Sequence, residues 1–457
     1  MSVAAASSTV RHRVKRIHDA AGGLIGDLGL YLFSAGFAGL TAATSTLVAH
    51  RAWGTVATVG YAVASLAVLA QLALRRPLTR RHVVVAKRSG PLVAALTGLA
   101  TRAWLTGLTW TATVAVPLVV QAAERAAGRT DRAQEEVLVV EDGGARLLAT
   151  GSPYLSEQQI AALPAGEQLL GYLPYQPGMV VFGIPRALAG TVWWTDARIW
   201  FAAVTVAATA VALVIVHRLI RPAGGTTSEA AANTADDSTG DAALVRAAQL
   251  SSVLPVCALT LSTGGDDLPV LALALLALAL CAARRYAGAG AAVGAAAALK
   301  LFAWPILAVL LIHAATRRSL LQFATGGLGL PILALLPAAA LDATALVHNV
   351  LGFPLGAGLV SSPAASPLPG QLIATWLPGG RAVAGALLLL AGLAIAGWLI
   401  RHPPRTAASA AAVCGVGLLI AIMLMPATRF GYLLYPIALL SWAPALIRAE
   451  QTSGRPA

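Results

Sequence analysis

Residues 266–318 read "DDLPVLALALLALALCAARRYAGAGAAVGAAAALKLFAWPILAVLLIHAATRR". Three apolar runs, near 268–284, 287–299 and 302–315, are separated by short basic groups. A membrane span needs about 20 apolar residues, and in lipid only a helix satisfies its own backbone hydrogen bonds. The stretch therefore predicts consecutive membrane-embedded helices. The two runs that flank Lys300 are short for full spans and also fit one broken helix.

The whole chain has the composition of a polytopic membrane protein. Its 457 residues are 58% hydrophobic and 11% charged, and the mean hydropathy is +0.75, whereas soluble domains carry about 25% charged residues. The net charge of +13 comes from basic residues that cluster between apolar runs, so it reports membrane topology and nucleic acid is not expected as a partner. The three cysteines lie in apolar runs, which indicates neither disulfides nor a zinc site.

Apolar runs of this kind predict an all-α protein with about twelve transmembrane helices. They lie near 28–48, 54–74, 104–122, 196–219, 244–262, 268–284, 287–299, 302–315, 319–340, 381–400, 406–425 and 430–447. With the N-terminus inside, the basic loops all fall on the cytoplasmic side, at 75–88, 217–222, 284–285, 316–318, 401–405 and after Arg448. Both termini are therefore expected in the cytoplasm and the protein in the plasma membrane.

This topology predicts four regions. They are a cytoplasmic tail (1–27), two additional helices with a basic loop (28–103), a transmembrane core (104–447) and a second cytoplasmic tail (448–457). The core is expected to contain a cytoplasmic linker at 220–243 and two long external loops, at 123–195 and 342–380, that hold short membrane-parallel helices.

The first external loop gathers acids and tyrosines. It contains "RAQEEVLVVEDGGARLLATGSPYL" (132–155) and then "YLPYQPG" (172–178), and "ATRFGYLLYP" (427–436) follows much later. In this order and on this side, these elements resemble the polyprenyl-phosphate-dependent glycosyltransferases of the GT-C superfold, especially the mannosyltransferase-like glycosyltransferase family 87. Glu136 occupies the position of the family's acid, and Gly151 and Tyr154 form its second element. The family's acid is usually Asp, so the register between Glu135 and Glu136 stays open.

The resemblance covers roughly residues 104–447 and implies sugar transfer on the external face. The donor would be a polyprenyl-phosphate sugar, with mannose as the sugar, and the acceptor an envelope glycolipid or polysaccharide. Transfer with inversion needs a base for the acceptor hydroxyl, for which Glu136 is the first candidate and Glu135 the second. Lys300 and Arg429, at external helix ends, are expected to neutralise the leaving phosphate. The sequence identifies no cofactor, and a divalent metal stays open because no tight ligand cluster supports one.

Other residues have two interpretations each. Asp266 and Asp267 either cap the following helix or assist the acceptor or a metal. Lys300 either snorkels to the interface or serves the site. His348 is a second proton acceptor or a structural hydrogen-bonding residue. Tyr154 is expected to bind substrate, as the resemblance implies, and Tyr172 and Tyr175 either bind substrate or belong to an interfacial aromatic belt. The acids Glu141 and Asp142 fit a solvated surface equally well.

About twelve spans with both ends inside also fit a secondary transporter, which is the alternative function. Transporters place ionisable residues near the middle of the membrane and show related halves. Here the candidate ionisable residues lie at the external face, and the two large loops are external. This distribution favours the enzyme.

Overall fold

The computed structural model describes residues 23–75, 95–221 and 227–453. Outside these ranges lie residues 1–22 of the predicted N-terminal tail, most of the basic loop at 75–88, residues 222–226 of the predicted linker and residues 454–457 of the second tail. The described residues are helical throughout apart from connecting segments, with a single isolated β-bridge between Ala365 and Thr428. Within these ranges the chain divides into two compact units, with boundaries after residues 117, 251 and 259: the first unit holds the described residues up to 117 together with 252–259, and the second holds the others.

The first unit is built from long apolar helices. They are α1 (Leu24–Thr44), α2 (Val48–Arg75), α3 (Leu99–Trp110) and a π-helical turn (Thr111–Ala115). A β-carbon on Gly54 would lie 2.6 Å from the carbonyl oxygen of Ala38, so glycine is what lets α1 and α2 pack backbone to backbone. The Nε atom of Arg102 lies 2.5 Å from the carboxylate of Asp27, and this buried ion pair joins α3 to α1.

Residues 116–117, 252 and 255–259 of the remaining helices belong to the first unit, and the rest of these helices form the second unit. In chain order these helices begin with α4 (Val116–Ala126), α5 (Glu135–Thr150), α6 (Glu157–Ala161), α7 (Gln168–Gly171), a 3-10 helix (Pro177–Gly183), α8 (Ile184–Ala189), a 3-10 turn (Trp193–Thr195), α9 (Ala197–Ile220) and α10 (Thr227–Ser252). The chain continues with α11 (Pro255–Thr263), α12 (Asp267–Ala282), α13 (Tyr286–Leu299), α14 (Ala303–Thr316) and α15 (Leu320–Val347). It ends with a π-helical turn (His348–Gly352), α16 (Phe353–Leu355), α17 (Pro369–Trp376), α18 (Gly380–Arg401), α19 (Ala407–Leu424), a 3-10 helix (Phe430–Leu433) and α20 (Leu434–Ser453).

All twelve predicted apolar segments coincide with helices, but twelve spans are not confirmed. Within the described ranges, eight helices are long and apolar enough to cross a membrane, or nine if the bent pair 239–252 and 255–263 counts as one span. The helices α12, α13 and α14 have only 16, 14 and 14 residues. A span needs about 20 residues, so these three apolar helices are too short to count as spans.

The Gly/Ala-rich sequence of α13 explains how these short helices are held. A β-carbon on Gly290 would lie 2.0 Å from the carbonyl oxygen of Phe323, and one on Gly294 would lie 2.2 Å from that of Gly326. Only glycine permits this approach, so α13 packs directly against the backbone of α15. At its end the chain becomes extended at Lys300 (φ −152°, ψ 145°), which separates α13 from α14. The break in the helical run at Lys300 agrees with the sequence prediction.

The two predicted external loops contain more helix than loop. The first carries the helices from α5 to α8, and the second begins inside α15, where Asp342 has non-helical angles (φ −155°, ψ 89°). The Asp342 carboxylate accepts a hydrogen bond from the Ala345 backbone N–H at 2.8 Å, which restarts the helix after the kink. The orientation of these short helices relative to a membrane stays a prediction.

Candidate active site

The first turn of α5 is fixed against the segment that precedes α12. The backbone N–H of Gln134, which caps α5, donates to the carbonyl oxygen of Thr263 at 2.9 Å. A β-carbon on Gly264 would lie 2.6 Å from Oε1 of Gln134 and 3.8 Å from Oε2 of Glu136. Gly264 therefore makes room for the start of α5, and it precedes Asp266 by two residues.

Glu136 forms an ion pair with Arg429. The guanidinium Nη1 of Arg429 donates to Oε1 of Glu136, and the two side chains are 31% and 12% exposed. Arg429 is held by its neighbour, because Thr428 donates its N–H to the Ala364 carbonyl and accepts from the N–H of Ser366, each at 2.9 Å. The second loop thus positions Arg429 over the start of α5.

Asp266, Asp267 and Lys300 form a buried triad. Nζ of Lys300 lies 2.6 Å from Oδ2 of Asp266 and 2.6 Å from Oδ1 of Asp267, and all three residues are buried. The Tyr435 hydroxyl donates to Oδ1 of Asp267 at 2.8 Å. Burial alone would lower the pKa of Lys300, but the carboxylates outweigh it and hold the pKa above its ordinary value. Asp266 makes no side-chain capping hydrogen bond, so its carboxylate serves the triad.

Aromatic rings surround the Lys300 ammonium. Its Nζ lies 5.2 Å from the ring centre of Tyr175, 5.4 Å from that of Tyr432 and 6.0 Å from that of Phe302. Ring faces attract a cation at these distances. The ammonium of Lys300 is thus held by two carboxylates and three rings, which differs from a lysine that snorkels to the interface.

The "YLPYQPG" segment packs on the end of α13. The N–H of Gln176 donates to the carbonyl of Leu299 at 3.1 Å, and a β-carbon on Gly178 would lie 2.6 Å from the carbonyl oxygen of Ala298. The Tyr154 hydroxyl donates to the Tyr175 carbonyl at 2.8 Å. These contacts hold Tyr175 beside Lys300 and attach Tyr154 to the Tyr175 backbone.

Tyr172 and His348 meet in a second cluster, between the two loops. The Tyr172 hydroxyl lies 3.3 Å from Nε2 of His348 and accepts a hydrogen bond from the N–H of Leu359 at 2.8 Å. Its ring stacks on Phe353 with centres 4.2 Å apart. The structure therefore separates Tyr172 and His348 from the residues that pair with Glu136 and Lys300.

Asn349, which sequence reasoning missed, joins the two loops through hydrogen bonds of its side chain. Its Oδ1 accepts from the N–H of Leu173, and its Nδ2 donates to the carbonyls of Leu155 and Ala345, each at 2.9 Å. The side chain is fully buried. Its sequence signal is a polar amide beside His348 within an apolar run.

A network of buried arginines and acids supports the first loop. Glu141 pairs with Arg125 at 2.6 Å and Arg186 at 3.1 Å, and Asp196 pairs with Arg198 at 2.8 Å and Arg125 at 3.1 Å. Glu141 is only 5% exposed, so its interpretation as a solvated acid was wrong, whereas Asp142 is exposed. Burial alone would raise the pKa of Asp196, but Arg198 and Arg125 outweigh it and hold that pKa well below its ordinary value.

The structure thus brings six of the predicted residues to one part of the second unit: Glu136, Arg429, Asp266, Asp267, Lys300 and Tyr175. Tyr154 connects to them through Tyr175, and Glu135 is exposed. No group of three or more His, Cys, Asp or Glu side chains that could hold a metal ion occurs in the described ranges.

Comparison with known proteins identifies one family. The model of glycosyltransferase family 87 matches residues 172–426, which is more than half of the chain. No curated protein and no solved structure matches. The matched range contains Tyr175, Asp266, Asp267, Lys300 and His348, and Glu136 and Arg429 lie outside it.

Proposed function

The chain belongs to glycosyltransferase family 87, and we propose that this membrane glycosyltransferase transfers mannose from a polyprenyl-phosphate donor to an envelope glycolipid or polysaccharide. The acceptor hydroxyl would attack the anomeric carbon with inversion, at the external face of the plasma membrane. The observation that carries the proposal is the ion pair between Glu136 and Arg429, which lies next to the family-matched segment that holds the Asp266–Asp267–Lys300 triad.

Glu136 is the proposed base. In the reaction, the acceptor O–H gives its proton to the Glu136 carboxylate while its oxygen forms the new bond to the anomeric carbon. The bond between that carbon and the phosphate oxygen breaks, and the phosphate leaves with the electron pair. Glu136 fits the role better than Glu135, because it is mostly enclosed and near the triad, whereas Glu135 is exposed.

Arg429 is the proposed ligand of the leaving phosphate. A guanidinium forms bidentate hydrogen bonds to phosphate oxygens and balances the charge that develops there. Because Arg429 is engaged with Glu136, the donor phosphate has to compete for it, and an Arg429 bound to phosphate frees the Glu136 carboxylate for the acceptor. Donor binding and exposure of the base are then coupled.

Lys300 and its partners are proposed to bind the donor phosphate or the sugar. An ammonium has three N–H donors, and Asp266 and Asp267 take two of them. The third N–H is left for a phosphate oxygen or a sugar hydroxyl. The two carboxylates can accept hydrogen bonds from sugar hydroxyls, and the ring of Tyr175 can stack on the sugar. His348 shares a hydrogen bond with Tyr172, and this favours a structural role for it over that of a second proton acceptor.

Transfer by the purified full-length protein tests the proposal. The protein would be incubated with a panel of radiolabelled polyprenyl-phosphate sugars and an envelope lipid extract, as wild type, Glu136→Gln and Glu135→Gln. We expect transfer by the wild type and by Glu135→Gln, and loss of transfer by Glu136→Gln. Equal transfer by all three would remove the base assignment. If no donor reacts but liposomes with the protein accumulate a solute, the transporter alternative replaces the proposal.

A further inference from the structure

Four arginines of the first loop and of the helix before it are paired with acids of the same region. Arg125 and Arg186 contact Glu141, Arg129 contacts Asp131, and Arg132 contacts Glu124. Arg146 on α5 is different, because among the described residues no carboxylate lies within ion-pair distance of its guanidinium. Asp142, one turn earlier on the same helix, is the nearest acid in sequence and does not form an ion pair with it.

The surroundings of Arg146 compensate its charge only in part. Its Nε donates to the carbonyl of Pro153 at 3.0 Å, and its enclosed Nη2 has no hydrogen-bond partner in the described part of the chain. The side chain is half-buried, and burial lowers its pKa although Asp142 opposes this. A cation that is partly removed from water is unfavourable unless an anion accompanies it. A bound anion would complete the compensation that Asp142 supplies only in part.

The position of Arg146 indicates which anion this is. Arg146 follows Glu136 by ten residues on the same helix, and a rise of 1.5 Å per residue separates them by about 15 Å. A phosphate that leaves beside Glu136 and Arg429 is therefore too far away to contact Arg146. Yet Arg146 holds Pro153, and the adjacent Tyr154 bonds to Tyr175 of the site. An anion at Arg146 would thus lie at the same loop as the reacting groups but remote from the reacting carbon.

We propose that Arg146 binds the phosphate of an anionic lipid headgroup. A guanidinium is the side chain best suited to a phosphate oxyanion, since it offers several N–H donors in one plane. The phosphate can belong to the acceptor lipid or to a membrane phospholipid, and both present the same group. The inference rests on the proposed function only where it names the acceptor lipid as one source of the phosphate.

Displacement of a fluorescent phosphatidylglycerol tests this site without any turnover. The full-length protein in neutral detergent micelles would be titrated as wild type, Arg146→Gln, Arg146→Lys, Arg129→Gln and Glu136→Gln. Losing hydrogen bonds to a charged phosphate weakens binding by roughly tenfold or more, so we expect this effect for Arg146→Gln and a smaller one for Arg146→Lys. Arg129, exposed and paired with Asp131, serves as the matched arginine control and should not change the affinity.

Competing probes identify the source of the phosphate. Displacement by unlabelled phosphatidylglycerol, with Glu136→Gln binding as wild type, supports the headgroup site even if sugar transfer itself is never observed. Displacement by farnesyl phosphate at a lower concentration than by unlabelled phosphatidylglycerol would assign Arg146 to the donor and overturn the proposal. Equal affinity of wild type and Arg146→Gln, or an equal loss in Arg129→Gln, would also overturn it. A wild-type sample that binds phosphatidylglycerol but transfers no sugar would count against the proposed function alone.

Discussion

Arg429 pairs with Glu136 although 293 positions separate the two residues in the chain. The contact connects the first turn of α5 to the residue that precedes the last 3-10 helix, and so joins the first loop to the end of the core. In the absence of substrate the proposed base and the proposed phosphate ligand neutralise each other. The pair therefore predicts that changes at either residue affect both substrates.

Replacement of Arg429 tests this coupling. Arg429→Gln removes the phosphate ligand, so we expect the KM for the donor to rise and kcat to fall by about 10²-fold or more, the size seen when one stabilising donor is lost. Arg429→Lys keeps the charge without the bidentate geometry. Its KM and kcat should therefore lie between those of the wild type and those of Arg429→Gln. Steady-state transfer with varied donor and fixed acceptor measures both constants. Arg381→Gln is the control, at an exposed arginine in the first turn of α18 that donates to the Gly356 carbonyl. A KM unchanged in Arg429→Gln would remove Arg429 from donor binding.

The sequence predicted the helices well because apolar runs of this length have few alternatives. The twelve segments coincide with helices, although the segment 244–262 covers a bent pair of helices and the runs around Lys300 do not qualify as spans. Hydropathy does not distinguish a crossing helix from a short apolar helix packed inside the protein. The break at Lys300 depends on its bonds to Asp266 and Asp267, which lie more than 30 residues earlier in the chain.

The residue types of the candidate site could be predicted from the sequence, but which of these residues pair with each other could not. Glu136, Lys300 and Arg429 stood out because charges are rare in this chain, but the partner of each is fixed by tertiary contacts that a single sequence does not show. Glu141 was assigned equally to a solvated surface for the same reason, since a buried acid paired with arginines has the same local sequence as an exposed one. Asn349 was missed because nothing local reveals that it bonds to the other loop.

The triad makes Lys300 a stability determinant as well. Lys300→Met leaves the carboxylates of Asp266 and Asp267 buried without a cation, and breaking a buried ion pair in this way costs about 3–5 kcal/mol. We expect a clear fall in the thermal unfolding temperature, measured by size-exclusion of heated protein in detergent. Lys300→Met combined with Asp266→Asn and Asp267→Asn removes the unpaired charges and should recover much of the loss. If the single variant unfolds at the wild-type temperature, the triad does not hold the break between α13 and α14.

Asn349 should control how firmly the two loops are joined. Asn349→Leu leaves the N–H of Leu173 and the carbonyl of Leu155 without their partner, and each buried unsatisfied group costs about 1–3 kcal/mol. Faster cleavage of both loops in limited proteolysis is the expected result. The control is Glu157→Gln, an exposed change in the first loop. Cleavage at the wild-type rate would show that the loops are held by other contacts.

The paired carboxylate of Asp196 predicts how stability depends on pH. Because its folded pKa is held below the unfolded value of about 3.9, the pairing stabilises the fold above that pH, and the contribution is lost as the pH falls through and below it. Asp196→Asn keeps an oxygen that can accept from the Arg198 N–H at the start of α9 but removes the charge. The variant should be less stable than wild type at pH 6 by about 2 kcal/mol, and the difference should shrink as the pH is lowered to 3.

Thermal unfolding of both proteins between pH 6 and pH 3 measures this difference directly. Other acids titrate in both proteins alike, so the comparison isolates Asp196. Asp131→Asn provides a contrast, because the ion pair of Asp131 with Arg129 is exposed and screened by water. The difference in stability between Asp131→Asn and wild type should be smaller than that between Asp196→Asn and wild type at every pH. A difference for Asp196→Asn that stays constant from pH 6 to pH 3 would contradict the role of the charge and leave only the loss of a well-packed side chain.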